Sequence, residues 1–281
     1  MRLSFASAPA TDSSTAKDAA QDAFQAPNDV RVAMVVEQMW QPVPGGSGTY
    51  ITNLAHSLRA QGVKVAGIAA RRSHNDPGSS AVGLETMPVR YANLPRPALY
   101  ESWNRLHSPL AEAILPASDL VHATTWAIPP TRKPLVVTVH DLAFLRNPEH
   151  FTKRGNSYFR KSLQRTIKEA QAVIVPSQAT ADDCYEAGID SERVHVIPHG
   201  ASQIDLFRTA YGLSRPYVLW TGTREPRKNL PGLLHAFSRI AGEFPQLDLV
   251  LVGPSGWGDD AVERQLIQAI GTSRVHVLGH L

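Results

Sequence analysis

Val30-Arg-Val-Ala-Met-Val-Val36, the loop Pro44-Gly-Gly-Ser-Gly-Thr-Tyr50 and, beyond Gly62, Val63-Lys-Val-Ala-Gly-Ile-Ala69 decide how this chain folds. The first and last are short, nearly continuous apolar runs, the pattern of parallel strands covered on both faces. Between them Ile51, Leu54, Ala55 and Leu58 recur on one helical face. Thr49 is expected to cap that helix, and Gly62 to lie just past its end. Strand, helix and strand make a βαβ unit, whose crossover is right-handed.

The alternation continues outward from this unit. Leu120-Val-His-Ala123, Leu135-Val-Val-Thr-Val139, Ala172-Val-Ile-Val175 and Val194-His-Val-Ile197 read as further strands. Helical spacing runs from Tyr158 to Ala170 through Phe159, Leu163 and Ile167, and Ser177 can cap a helix reaching Gly188. Arg71 to Pro97 reads as loop-rich. A linker at 201–215 precedes a second series: strand Tyr217 to Trp220, helix Leu230 to Glu243, strand Leu247 to Val252, helix Asp260 to Ile270 and strand Val275 to Leu278. The class is therefore α/β with two Rossmann-like domains, 30–200 and 216–281, after a disordered leader at 1–29. Three strands and two helices make a thin second domain, so it is expected to be incomplete and the chain truncated.

Composition narrows the functions. With 281 residues there is material for two ordinary domains. A net charge of +3, with 28 basic and 25 acidic residues and no long Lys/Arg block, argues against a nucleic-acid partner. The single cysteine, Cys184, excludes an intramolecular disulfide and a Cys-based zinc cluster. It agrees with a reducing, cytoplasmic setting, and its expected role is packing. The leader lacks the apolar core of a signal peptide, and no apolar run is long enough to span a bilayer. Peripheral association with the inner membrane surface stays open, since a lipid-linked substrate needs only a surface patch.

Chemistry concentrates at a few places. Tyr217-Val-Leu-Trp-Thr-Gly-Thr-Arg-Glu-Pro-Arg-Lys-Asn-Leu230 runs from an apolar strand through a turn at Gly222 and Thr223 to the cations Arg227 and Lys228 and a helix start. A glycine that admits close backbone approach, two cations and unsatisfied helix N–H groups suit a diphosphate. The alternative is a solvated basic loop, but Pro226, Asn229 as an expected cap and the apolar face Leu230, Leu233, Leu234 and Phe237 favour a binding site. Gly46, Ser47 and Gly48 offer a second set of backbone N–H groups. A nicotinamide dinucleotide would want a third glycine and an acidic residue after the second strand. Tyr50 or Ile51 and then Arg71-Arg72 stand there instead, leaving only a weak case for a phosphorylated dinucleotide. His140 and Asp141 end an apolar strand, at the edge where open α/β sheets bind ligands. His199 and Gly200 follow a later strand and would face a cleft between domains. His122 and His195, within strand runs, read as core or edge residues. No His-Glu-x-x-His spacing or carboxylate cluster suggests a metal, and Gly253-Pro-Ser-Gly256 lacks a nucleophile elbow.

In their order and spacing these pieces resemble the retaining nucleotide-sugar glycosyltransferases of the two-Rossmann GT-B type, family 4 (glycosyltransferase family 1 in domain naming). The resemblance runs from Val30 to the end. It is carried by Gly45-Gly-Ser-Gly48, Val139-His-Asp-Leu-Ala-Phe-Leu145, Val175-Pro-Ser-Gln178, Ile197-Pro-His-Gly200, Gly222-Thr-Arg-Glu-Pro-Arg-Lys-Asn-Leu230 and Leu251-Val-Gly-Pro254. It implies an acceptor-side first domain and a donor-side second domain. Lys228, helped by Arg227, would neutralise the donor diphosphate, the Gly46 to Gly48 amides would meet it from the other side, and His140 would lie near the transferred sugar. The donor would be a GDP- or UDP-hexose, the Thr-Arg-Glu-Pro-Arg-Lys-Asn variant being most like mannosyltransferases. The acceptor would be a carbohydrate or a lipid-linked acceptor, and no cofactor or metal is implied. Two departures stand out. His199 occupies the asparagine position of the family's Pro-Asn-Gly turn, and the family's two glutamates eight positions apart would fall beyond Leu281. A non-catalytic fragment that binds an acceptor or partner therefore stays beside the transferase as a reading, with an NAD(P)-dependent oxidoreductase as a minor third.

Overall fold

The computed structural model describes residues 29–41, 43–72, 84, 87–200, 211–255 and 261–279. The expected leader up to residue 28, residues 201–210 of the expected linker at 201–215, residues 256–260, and His280 and Leu281 lie outside the described residues. So does most of the stretch from 73 to 86.

The first domain is built on a seven-stranded sheet in the order β3-β2-β1-β4-β5-β6-β7. Its strands are β1 (Arg31–Val35), β2 (Lys64–Ala69), β3 (Val89–Tyr91), β4 (Leu120–Ala123), β5 (Leu135–Thr138), β6 (Ala172–Val175) and β7 (Val194–Val196). All pairings are parallel, with Val32 opposite Val65 and Val121 opposite Leu135. Period-two alternation sends neighbouring side chains into different cores. Val32 and Met34 pack with Ile51 and Ala55 of helix α1 (Gly45–Ala60). Ala33 and Val35 pack with Leu99 and Trp103 of α2 (Arg96–Arg105), joined by Leu163 of a later helix. A fully buried Leu or Ile contributes about 1.5–3 kcal/mol, so each face is held by several such residues.

Two short helices, α3 (Ala111–Ile114) and α4 (Ala143–Arg146), lead to the long α5 (Lys153–Glu169). This last helix starts five residues before the expected Tyr158 because Thr152 caps it, accepting from the Gly155 amide at 3.1 Å. Arg165 pins α5 to its neighbours: it pairs with Glu169 at 2.8 Å and donates to the Ile128 carbonyl at 2.6 Å. Helix α6 (Gln178–Glu186) is capped by Ser177, as its sequence indicates. Cys184 on α6 is buried and its thiol is pushed up to about 12 by burial, which keeps it protonated and suits packing.

Several sequence expectations are corrected. The loop-rich reading of Arg71 to Pro97 missed β3 and the start of α2. Pro97 looks like a breaker, yet it sits in the first turn, where its missing N–H costs nothing. Thr49 does not cap α1. The helix begins at Gly45 behind Pro44, whose carbonyl accepts from the Gly48 amide at 3.2 Å and from Gln38 Nε2 at 3.0 Å.

The second domain is small: β8 (Tyr217–Thr221), α7 (Leu230–Ile240), β9 (Asp248–Val252), α8 (Ala261–Ile270) and β10 (Val275–Gly279), with sheet order β10-β9-β8. Leu230, Leu234 and Phe237 cover Leu249, Leu251 and Val275. Buried Asp248 gathers Arg215 and Arg274, each at 3.3 Å, and His276 at 3.0 Å, tying the three strands together. The ends of β8 and β9 meet backbone to backbone: a Cβ on Gly253 would stand 1.9 Å from the Gly222 carbonyl oxygen, and Gly253 has φ +141. Gly253→Ala is therefore expected to destabilise this domain by about 2 kcal/mol or more, read as a lower urea midpoint.

His122 on β4 is 4 % exposed and bonded to Thr138 at 2.8 Å; burial pushes its pKa down to about 4. An unfolded imidazole takes a proton near 6.5, so the unfolded chain binds more protons as pH falls between those values. Stability from this group is complete above about 6.5 and is lost toward about 4. Urea titrations across that window should show the loss, and His122→Gln should flatten it.

Candidate active site at the C-terminal edge of the first sheet

Strands β1 and β4 are neighbours while the chain runs outward from them in opposite directions, which makes the C-terminal ends of this pair the topological switch point of the sheet. Three elements converge there. The first turn of α1 brings Gly46 and Ser47, the end of β4 brings Thr124, Thr125 and Trp126, and the end of β5 brings Thr138, His140 and Asp141.

Thr138 is buried and its hydroxyl joins two partners, His122 Nε2 at 2.8 Å and Tyr50 Oη at 3.0 Å. Above it lies His140. A carbonyl oxygen can only accept, so the 3.0 Å contact between His140 Nε2 and the Thr124 carbonyl places the ring proton on Nε2. Burial lowers the pKa of His140 below its usual value, so the ring is neutral near pH 7, with Nδ1 turned toward His199 Nε2 at 3.4 Å. Tyr50 meets His140 edge-to-face at 5.1 Å and tilts against His199 at 4.8 Å. The structure thus brings His199 to His140 from 59 residues away.

Ser47, His140 and Asp141 line one cavity of about 700 Å³, walled by Trp126, Tyr100 and Tyr158. Asp141 also has a local task, accepting from the Ala143 amide at 3.0 Å. The glycine stretch departs from a simple anion nest. Gly46 and Ser47 lie in the first helical turn, where amides lack intrahelical partners, but the Gly48 amide is taken by Pro44. Gly48 is buried with its Cα against the proline, so that a Cβ would fall 2.5 Å from Pro44 Cβ. Its part is close packing. Gly200 is exposed, at the end of the described stretch.

The other candidates stand on the second domain and do not line this cavity. Gly222 and Thr223 follow β8, and the Gly222 amide donates to the Val252 carbonyl at 3.0 Å. Arg227 and Lys228 fall in a 3-10 turn, Pro226–Lys228; the Arg227 side chain lies outside the described residues. Lys228 is exposed, with no carboxylate partner among the described residues. Asn229 does not cap α7 with its side chain. It takes a left-handed conformation, φ 49, which asparagine tolerates, and lies over Gly232. In that first turn Pro231 has no N–H, leaving Leu230 and Gly232 to offer theirs.

Arg72, weighed for a phosphorylated dinucleotide, is instead paired with buried Glu37 and stacked 4.8 Å from the Trp40 ring centroid. Sequence reasoning missed Tyr50, Thr124 and Thr138 as site residues. The available signal was Thr138, a hydroxyl inside an apolar buried strand. Among the described residues no group of three or more His, Cys, Asp or Glu could hold a metal ion, and no helix is long and apolar enough to cross a membrane.

Known proteins resemble this chain in sequence and fold. O-antigen chain mannosyltransferase B of Escherichia coli is 26% identical over 200 residues, covering 66% of this chain and 52% of that protein. Alpha-maltose-1-phosphate synthase of Mycolicibacterium smegmatis is 29% identical over 252 residues, 79% of this chain and 60% of its own. The chain thus spans about half the length of the first of these relatives. Among solved structures, Anabaena HepE in complex with UDP and glucose aligns with a TM-score of 0.60 at 21% identity, covering 90% of this chain and 70% of that one. S. aureus TarM aligns at 0.59 with 9% identity, covering 90% and 78%. At these identities the structures speak for the GT-B architecture alone. Residues 44–202, more than half of the sequence, match the profile of one family, and the chain belongs to Glycosyltransferase Family 4.

Proposed function

We propose that the protein transfers a hexose, mannose in the first instance, from a nucleoside-diphosphate sugar to an acceptor hydroxyl, with retention of configuration. The observation that carries this reading is the cavity shared by His140 and Ser47, where a neutral imidazole stands beside unsatisfied helix amides at the switch point. Mannose and the nucleotide rest on the relatives: the E. coli protein is named a mannosyltransferase, and HepE was crystallised with UDP.

The residues divide the work by charge. A leaving diphosphate gathers negative charge on its oxygens, which fixed donors and cations stabilise most where water is excluded. Gly46 and Ser47 amides and Lys228, with Arg227 beside it, supply those groups. His140, held by Thr124 and Tyr50, stands as a neutral ring beside the sugar, its Nε2–H given to the Thr124 carbonyl and its Nδ1 able only to accept. His199 and Asp141 border it, and Gly200, Gly222 and Thr223 bring backbone close to the ligand. No resident cofactor is part of the reading.

Isothermal titration of GDP and UDP tests the donor half. Lys228→Ala should weaken the preferred nucleotide about tenfold, the scale of one charged hydrogen bond; equal affinity of both proteins would remove Lys228 from the phosphate site. For the transfer half, His140→Ala should lower the rate from GDP-mannose by roughly 10²–10³. Because burial depresses the pKa of His140, the wild-type rate should hold as pH falls to about 6.5 and decline only below it. A second reading is a protein that binds nucleotide or acceptor but does not turn it over. Nucleotide binding without transfer to any offered acceptor would favour it.

A further inference from the structure

The cavity at His140 does not end at its aromatic wall. It shares Glu101, Arg154 and Tyr158 with a small pocket of about 260 Å³, which in turn shares Asn104, Ser157 and Lys161 with a third of about 770 Å³. The three form a trench that starts at His140 and follows the exposed side of α5.

The chemistry changes along it. Near His140 the walls are rings: Trp126, Phe159, and Tyr100 stacked on Tyr158 at 5.5 Å. Rings of this kind cover the apolar face of a sugar. Farther along, the lining becomes cationic, with exposed Lys153, Arg154, Arg160 and Lys161 on α5. Lys153, Arg154 and Lys161 have no carboxylate partner among the described residues. Asp141 at the His140 end and Glu101 are the carboxylates lining the trench, and Glu101 is already paired with Arg105. Between the aromatic and cationic parts the Asn104 side-chain nitrogen is shielded from solvent and has no hydrogen-bond partner. A shielded donor without an acceptor is costly unless a ligand supplies one.

We infer that the acceptor is a phosphate-bearing glycan. Its sugar lies against the rings beside His140, and its phosphate or diphosphate sits among Arg154, Lys161 and Asn104. The phosphate oxygens accept from the two cations, a geometry to which guanidinium is well matched. This deepens the proposed function by naming the acceptor class, and it rests on that reading for the acceptor role of the cavity.

The test is binding, which needs no turnover. Methyl α-mannoside, mannose 6-phosphate and an isoprenyl-diphosphate-linked monosaccharide in phosphatidylcholine vesicles are titrated against the chain, its Arg154→Ala/Lys161→Ala variant and Lys168→Ala. Lys168 is exposed on the same helix but outside the trench. Phosphorylated probes should bind about tenfold tighter than the neutral sugar. The double variant should erase that preference, and Lys168→Ala should keep it. Tighter binding of the isoprenyl probe than of mannose 6-phosphate assigns the phosphate to a lipid headgroup; the reverse assigns it to a soluble sugar phosphate. The inference is overturned if the preference is absent, if it survives in the double variant, or if Lys168→Ala costs as much. Titration of GDP and UDP in parallel separates the two readings: nucleotide binding without phosphate preference rejects the acceptor class alone, and the converse rejects the donor reading alone.

Discussion

A single buried hydroxyl fixes the geometry at the first-sheet site. Thr138 ends β5 with its oxygen between His122 of β4 and Tyr50 of α1. Around it the sheet is apolar on both faces, so an unpaired polar group would be costly, and His122 and Tyr50 each find their partner in the Thr138 hydroxyl. Two strands and a helix are thereby locked in register at the edge where the ligand must lie. His140, two residues beyond Thr138, inherits that position. Its ring is held by the Thr124 carbonyl and packs edge-to-face with Tyr50, which leaves it little freedom for reorientation.

Much of this was legible because parallel strands buried on both faces advertise themselves as continuous apolar runs. The strands around Val32, Val65, Val137 and Val173 lie within a residue or two of where the sequence places them. Gly62 and Gly188 carry the positive φ that a glycine after a helix suggests. His140 was found for the same reason: a polar residue just past such a run stands at the ligand edge. The Tyr50 and His122 contacts to Thr138 were not legible, since the partners lie 88 and 16 residues away and no local pattern records the pairing. The start of α1 was misread at Thr49, and Asn229 precedes α7 as expected but without a side-chain bond, because a good capping side chain is only one solution. Pro44 and the left-handed turn at Asn229 are others.

Charge was the least legible property. In the sequence Arg72, Arg165, Arg154 and Lys161 look alike. In the fold Arg72 and Arg165 are absorbed by Glu37 and Glu169 and serve as braces, whereas Arg154 and Lys161 face an open trench. Tertiary pairing decides which cations are left for a ligand, and a nearly balanced total charge conceals the difference.

The same accounting constrains the proposed transfer. His140 is neutral at working pH, so it cannot be the counter-charge for a leaving diphosphate. The start of α1 offers about half a positive charge, and the Gly48 amide is already spent on Pro44. A nucleoside diphosphate carries more negative charge than that end of a helix can balance. Of the cations that line the first-sheet cavity, Arg96 stands on α2 and Arg154 on α5, along the trench assigned to the acceptor. Within the proposed arrangement the helix end falls short on the donor side, and Lys228 on the second domain is the cation assigned to make up the difference.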